Sequence, residues 1–307
     1  MMDKKGVEWT VGTVAKLIGM LVVFGIALLF LSGFKPYEQV DKKICAESVV
    51  YKATVPEVGG VKAVNIPLSC KTEKICFASS VLDSPLKWDN CDDSYQGEEY
   101  DTIRIGGSVE ERNKEINRVI AEKMAECWNM MSEGKLNIYS RGVYTEKYCN
   151  ICTRFAFGPK LNETINGNLS GTQRYLITHI VPNTKKTYWQ YITNSESNYI
   201  YNYNKMTDTM VTVPKAIVFM ESDKSNFIQW ASTVVGGVLG GVIGTAVGPL
   251  TASLGVGIGG YLGEDFGEVA QDYFDKGVPR ISSMNIVDYD REKLKKYRCT
   301  SFEGDIS

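Results

Sequence analysis

Ser225 to Gly263 is a run of 39 residues without one charged side chain, and glycine recurs at every fourth position through most of it. Gly236, Gly240, Gly244 and Gly248 form one series. Gly255, Gly259 and Gly263 form a second, continued by Gly267. A glycine costs about 1 kcal/mol in a helix relative to alanine, so a soluble helix has no reason to repeat it. The spacing makes sense where helices approach closely, as in small-xxx-small packing of membrane helices. Ile228 to Val247 is long enough to span a bilayer, at about 30 Å as a helix. Leu250 to Leu262 is short, at about 20 Å. Acidic residues flank both ends (Glu221 and Asp223; Glu264, Asp265 and Glu268), so both ends share a side. These features predict a helical hairpin over 225–263 that crosses, re-enters or packs on the body.

A second apolar segment lies at the other end. Leu17 to Phe34 is uncharged, and extending it back to Val11 adds only Lys16, whose stem can snorkel. About 20 apolar residues span a bilayer. The core is longer than a signal peptide's and is followed by Ser-Gly-Phe-Lys-Pro, with no A-x-A-like site. An uncleaved transmembrane anchor over 1–36 is the expectation. Lys-Lys-Gly-Val-Glu-Trp-Thr before it is similar to the leader region of type IV pilin-like proteins. Glu8 is second after Gly6, whereas the pilin glutamate is usually fifth, so no processing is predicted.

Cysteines and sequons orient the chain. All eight cysteines (Cys45, Cys70, Cys76, Cys91, Cys127, Cys149, Cys152 and Cys299) follow the anchor and avoid both apolar segments. That distribution points to disulfides in an oxidising compartment. Asn162-Glu-Thr and Asn168-Leu-Ser are glycosylation sequons in a polar stretch. Together they place the N-terminus in the cytoplasm and the body outside, at the cell membrane. The net charge of −2 gives no argument for nucleic acid. The lone His179 excludes any two-histidine metal site and reads as an ordinary strand residue.

The body, 37–224, reads as α+β with a mostly antiparallel sheet. Ile44–Ala53, Val61–Leu68, Leu136–Tyr139, Tyr148–Phe157, Tyr175–Val181 and Ala216–Met220 have strand character, with a turn at Val58-Gly59-Gly60. Ser108 to Ser132 is the one long amphipathic helix. Ser108 and Glu111 form a capping box, and Ile116, Ile120, Met124, Cys127 and Met131 make its apolar face. Gly134 stops it. Residues 264–307 add a short helix and a strand, Ile281–Val287, that return to the body.

Three features could carry function. Cys149-Asn-Ile-Cys152 is a CxxC in a strand context. That setting favours structural bridges over a redox pair, which wants a helix N-terminus, or zinc, which needs two more ligands. Cys127 and Cys299 compete as partners for these two cysteines. Tyr199, Tyr201 and Tyr203 alternate along one strand face, as a binding surface or as hairpin packing. No GxSxG, HExxH, phosphate loop or dinucleotide fingerprint is present, so no catalytic residue, metal site or cofactor is expected.

Cys70-Lys-Thr-Glu-Lys-Ile-Cys76, Ala125-Glu-Cys-Trp-Asn-Met-Met-Ser-Glu-Gly-Lys-Leu136 and Tyr148-Cys-Asn-Ile-Cys-Thr-Arg154 occur in that order. In this the chain resembles uncharacterised membrane-anchored, cysteine-containing exported proteins of small-genome archaea, over about residues 1–220. The resemblance implies an anchored, exported body and brings no activity. The 225–263 segment in turn resembles glycine-zipper two-helix domains of envelope proteins, which implies membrane association and helix packing but no activity. The expected function is a non-enzymatic envelope protein with a binding or assembly role, oligomerising or packing through a glycine zipper. Its partners are the lipid bilayer and either itself or another envelope protein, with no nucleic acid. One alternative is a fusion- or pore-type protein that inserts 225–263. Another is a thiol- or metal-dependent enzyme using the CxxC.

Overall fold

The computed structural model of the chain describes residues 18–24, 36–58, 61–64, 66–80, 89–136, 138, 147–193, 209–223, 244–247, 255–256, 280–290 and 299–303. The chain divides into two units, Met1–Asp41 and Lys42–Ser307. In the first, residues 18–24 form a helix, α1. Its side chains Ile18, Met20, Leu21, Val22, Val23 and Phe24 are 55–75% exposed, so the apolar surface faces outward all round. Among the described residues no helix is long and apolar enough to cross a membrane. The rest of the expected 1–36 anchor lies outside them.

Helix α2 (Pro36–Thr54) replaces the strand expected over Ile44–Ala53. Cys45, Ser48, Val49 and Lys52 are buried at helical spacing, so the β-branched pair Val49-Val50 misled. A small antiparallel pair follows, β1 (Glu57–Val58) against β2 (Val61–Lys62); Gly59 and Gly60 of the expected turn between them lie outside the described residues. The strand expected to run on to Leu68 stops at Lys62.

The main sheet takes shape from β3 (Glu73–Ser79) onward. Helix α3 (Asp92–Tyr95) leads to β4 (Asp101–Ile105), and α4 (Val109–Met130) to β5 (Lys147–Phe157). After α5 (Pro159–Thr164), β6 (Asn168–Leu169), α6 (Thr172–Thr178), α7 (Tyr188–Thr193) and β7 (Thr209–Met210), the chain re-enters as β8 (Lys215–Asp223). Four strands complete it: β9 (Gly244–Val247), β10 (Gly255–Val256), β11 (Arg280–Asp288) and β12 (Cys299–Glu303).

The strand order is β10-β9-β11-β8-β5-β3-β4, with β12 also beside β5. The sheet is mixed, which corrects the mostly antiparallel expectation. The pairs β3–β4, β3–β5 and β5–β12 are parallel, and the others antiparallel. Parallel neighbours need a crossover of about a dozen residues or more. The links from β3 to β4 and from β4 to β5 are long enough, and the second contains α4. Strand β5 is long enough for two parallel partners end to end, β12 along Lys147–Asn150 and β3 along Thr153–Phe157.

The helical hairpin expected over 225–263 is corrected where that segment is described. Gly244 lies in β9 and Gly255 in β10, paired with each other's strands, and β9 also pairs with β11. Val242, Ile243, Thr245 and Val247 crowd around Gly244. β-Branched residues prefer strands and glycine disfavours helix, so local preference outweighed the four-residue spacing. Gly236, Gly240, Gly248, Gly259 and Gly263 lie outside the described residues.

Helix α4 forms as expected. Ser108 accepts from the Glu111 N–H, and Glu111 reaches back to the Ser108 N–H at 2.8 Å. Its buried stripe is wider than the five expected positions and adds Asn117, Val119, Ala121, Ala125 and Trp128. The stripe lies on Ile75, Phe77, Phe155, Ile217, Phe219, Met284 and Ile286 of the sheet, which form one core cluster with it. The chain leaves α4 through Ser132, Glu133 and Gly134, all at positive φ. A Cβ at Gly134 would lie 2.4 Å from Trp128 Cη2 and 2.8 Å from Ser282 Cβ, so glycine is required there. Leu136 and Ile138, expected in a strand, are in none.

Helix α6 replaces the strand expected at Tyr175–Val181. It starts after Gly171 at φ 77° and ends at His179. The expected strands near 148, 216 and 281 are β5, β8 and β11.

Candidate functional site

Strand β5 positions most of the distinctive chemistry. Its alternation sends Phe155 and Phe157 toward α4, and Arg154 and Ala156 to the other face. A bulge between Ile151 and Thr153 interrupts that alternation. Such bulges re-aim side chains, and Cys152 here reaches α4.

The cysteines form bridges. Cys45 joins Cys70, tying α2 to the chain before β3. Cys76 joins Cys91, tying β3 to the start of α3. Cys152 joins Cys127, tying β5 to α4. Cys149 is also disulfide-bonded. The CxxC is therefore neither an internal bridge nor a dithiol: Cys152 and Cys149 are held separately. Among the described residues no group of three His, Cys, Asp or Glu side chains could hold a metal ion.

On the face away from α4, Arg154 is a buried cation, its side chain 5% exposed. Nη1 donates to Glu98 Oε2 at 2.8 Å, and Lys74 Nζ reaches the same oxygen at 3.3 Å. The guanidinium carbon lies 3.8 Å from the Tyr289 ring centroid and 5.3 Å from that of Tyr95. Tyr95 is buried, stacks on Tyr100 at 4.8 Å and donates to the Ile75 carbonyl at 2.6 Å. Burial raises the Tyr95 phenol above its ordinary pKa, against the lowering effect of Arg154. Tyr100 donates to Asp92. With Cys76, Ala78, Cys91 and Ala156, the tyrosines form a small second core. This cage can bind a cation's face and a carboxylate, and Arg154 and Glu98 of the protein itself fill both roles.

Asp89 is the second buried charged anchor. Its carboxylate accepts from the N–H groups of Ser79 at 2.8 Å, Lys160 at 3.1 Å and Leu161 at 3.1 Å. It thereby joins the end of β3 to the start of α5. A Cβ on Gly158 would sit 2.5 Å from this carboxyl.

On the α4 side, polar groups form the rim. Lys123 bridges Glu73 at 2.7 Å and Glu126 at 3.1 Å, and Lys42 of α2 reaches Glu126 at 2.8 Å. Burial pulls the Lys123 pKa down, but the two carboxylates outweigh it and the net shift is upward. For Glu73, burial outweighs Lys123 and raises the carboxyl. The asymmetry follows from geometry: Lys123 has two carboxylates beside it, while Glu126 repels Glu73. His179 is not in a strand; it follows α6 and stacks on Tyr175 at 3.7 Å. Burial pushes the nearby Tyr188 up to about 12, and Tyr191 up to about 12 with help from Glu133.

Tyr199, Tyr201 and Tyr203 lie outside the described residues, although Tyr188–Thr193 just before them is helical. Of the sequons, Asn162 lies on α5 and Asn168 on β6. Sequence patterning assigns no role to Arg154, Tyr95, Asp89 or Trp128. Alternation in Thr-Arg-Phe-Ala-Phe signals that Arg154 faces away from the phenylalanines, but nothing local identifies its partners 56 and 59 residues away.

Comparison with protein families, with characterised proteins and with solved structures finds no match.

Proposed function

We propose that the chain is a membrane-anchored envelope protein whose disulfide-braced body lies outside the cell and serves a binding or assembly role. The observation that carries this reading is the bridge set. Cys45–Cys70, Cys76–Cys91 and Cys127–Cys152 each join separate elements within buried surroundings. Such bridges persist in oxidising compartments. The apolar, outward-facing α1 upstream of them supports a bilayer partner. The polar clusters support a structural role over a catalytic one, because each charged member is spent on an internal contact. Pairing of Gly244–Val247 with β11 supports a glycine-rich segment that packs on the body at that point, in preference to one held ready for insertion.

The test uses the full chain in membranes of an expressing cell. The expected result is carbonate-resistant membrane association, digestion of the body by protease added outside, and cysteines that react with maleimide only after reduction. Reactive thiols in a protease-protected body would overturn the topology. Light scattering of the detergent-solubilised chain then tests self-assembly. A defined oligomer that Gly240→Leu dissociates supports it, and a monomer for both proteins overturns it.

A further inference from the structure

The two sequons lie six residues apart, yet the fold treats them differently. Asn162 sits inside α5, where its N–H donates to Gly158 O at 2.9 Å and its carbonyl accepts from Gly167 at 2.9 Å. Its side-chain Oδ1 is buried, with no hydrogen-bond partner among the described residues. The side chain is therefore packed along its oxygen edge, and Asn162 as a whole is only partly exposed. The +2 hydroxyl is also misplaced. Positions i and i+2 of a helix do not face each other, and Thr164 Oγ1 donates to Lys160 O at 2.8 Å.

Asn168 has the opposite environment. The chain turns through Asn166 at φ 52° and Gly167 at φ 67° into β6. There Leu169 is fully buried and Asn168 is exposed. Extended chain puts i and i+2 on one face, so Ser170 follows on the side of Asn168. Helix α4 holds Ser170 by its backbone: Asn113 Oδ1 accepts from its N–H at 3.4 Å, and Asn117 Nδ2 donates to its carbonyl at 2.7 Å. Those contacts leave the Ser170 hydroxyl outside the backbone clamp.

We propose that Asn168, and not Asn162, carries an N-linked glycan. The inference rests on the extracytoplasmic placement of the body. In the transfer, the Asn168 amide nitrogen bonds to C1 of a lipid-phosphate-linked sugar. The bond from C1 to the phosphate oxygen breaks, the lipid phosphate leaves with the electron pair, and the amide loses one proton to base. The glycan would stand on the rim beside α4, away from both cores.

The experiment expresses the full chain in a host with secretory N-glycosylation. Membranes are treated with peptide N-glycosidase in ¹⁸O water, and peptides are weighed. The same membranes are probed with external protease and with maleimide before and after reduction. The expected result is one glycan, with heavy aspartate at position 168 only. Asn168→Gln and Ser170→Ala should each lose one glycan's mass, and Asn162→Gln should keep it. Thiols that stay unreactive until reduction show that each variant has folded. An external, oxidised body with no glycan at 168, or with one at 162, overturns the site and leaves the topology standing. A protease-protected, reduced body overturns both.

Discussion

The two faces of the sheet are built on different principles. Under α4 lies one continuous apolar layer, with Trp128, Phe77, Phe155 and Phe219 fully or almost fully buried. On the opposite face near β3 and β4, the packing unit is small: Cys76, Ala78, Cys91, Tyr95 and Ala156. That side depends on specific links, namely the Cys76–Cys91 bridge, the Tyr95 hydroxyl on Ile75 O, and Arg154 between two aromatic rings. Area stabilises most of the first face and is indifferent to redox state, with the Cys127–Cys152 bridge as its one described redox-dependent tie between α4 and β5. Named partners stabilise the second, and one of those links exists only in an oxidising compartment. The comparison teaches that the small α3 layer, with little apolar area beside its bridge, should respond to the cell compartment more than the core under α4, where the Cys127–Cys152 bridge is backed by a large apolar layer.

The largest test of this difference is Trp128→Ala. The side chain packs on Phe219 at 5.8 Å between centroids and abuts Gly134. Truncating a buried tryptophan costs about 3–5 kcal/mol, and urea unfolding should register that loss with bridges intact. A loss below about 1 kcal/mol would mean that the apolar layer is not what holds α4.

Cys76→Ala/Cys91→Ala tests the other face. Opening a bridge of sequence separation 15 should cost about 3 kcal/mol on the chain-entropy account. Hydrogen exchange should quicken over 91–105 while α4 keeps its protection. Equal loss of protection in both segments would refute the division into two independent layers.

Arg154→Lys is smaller and more pointed. Lysine keeps the charge but loses the planar stacking and the Nη1 contact to Glu98. Cation–π contacts are worth about 0.5–2 kcal/mol, so a loss of about 1–2 kcal/mol is expected in denaturant titration. An unchanged midpoint would show that charge alone holds the outer layer.

The same contrast explains what could be read in the sequence. Helix α4, with its Ser108–Glu111 box and apolar stripe, was legible because its signals are local and repeat every three or four residues. Strands β5, β8 and β11 were legible from β-branched and aromatic runs. Short apolar runs were ambiguous: Ile44–Ala53 and Tyr175–Val181 read as strands and form helices, because burial along one helical face decided them. Sheet direction depended on which strands α4 and the 80–100 link bring together, which composition does not encode. The second face was illegible for a related reason. The Arg154–Glu98 and Asp89–Leu161 contacts join residues 56 and 72 positions apart, and no single stretch shows both sides. The glycine spacing misled at Gly244 and Gly255, where β-branched neighbours and free strand edges favoured pairing.

The smallest effect lies at the rim, on the exposed first turn of α4. Ser108→Ala removes the hydroxyl that meets the Glu111 N–H at 3.3 Å and Glu111 Oε2 at 2.9 Å. Loss of an N-cap costs about 1 kcal/mol. Hydrogen bonds from Ser108 also hold the Glu111 carboxyl below its ordinary range. A depressed folded-state pKa adds stability above the unfolded pKa, and that stability fades as pH falls through the folded value. The wild-type advantage over Ser108→Ala should therefore be present at neutral pH and shrink through the acid side of the carboxylate range. Glu73, whose carboxyl is raised by burial, acts with the opposite sign in both proteins and cancels in the difference. If the difference between the two proteins stays constant with pH, the Ser108 hydroxyl plays no part in lowering the Glu111 carboxyl, which is then held by the residue-108 backbone N–H that both proteins keep.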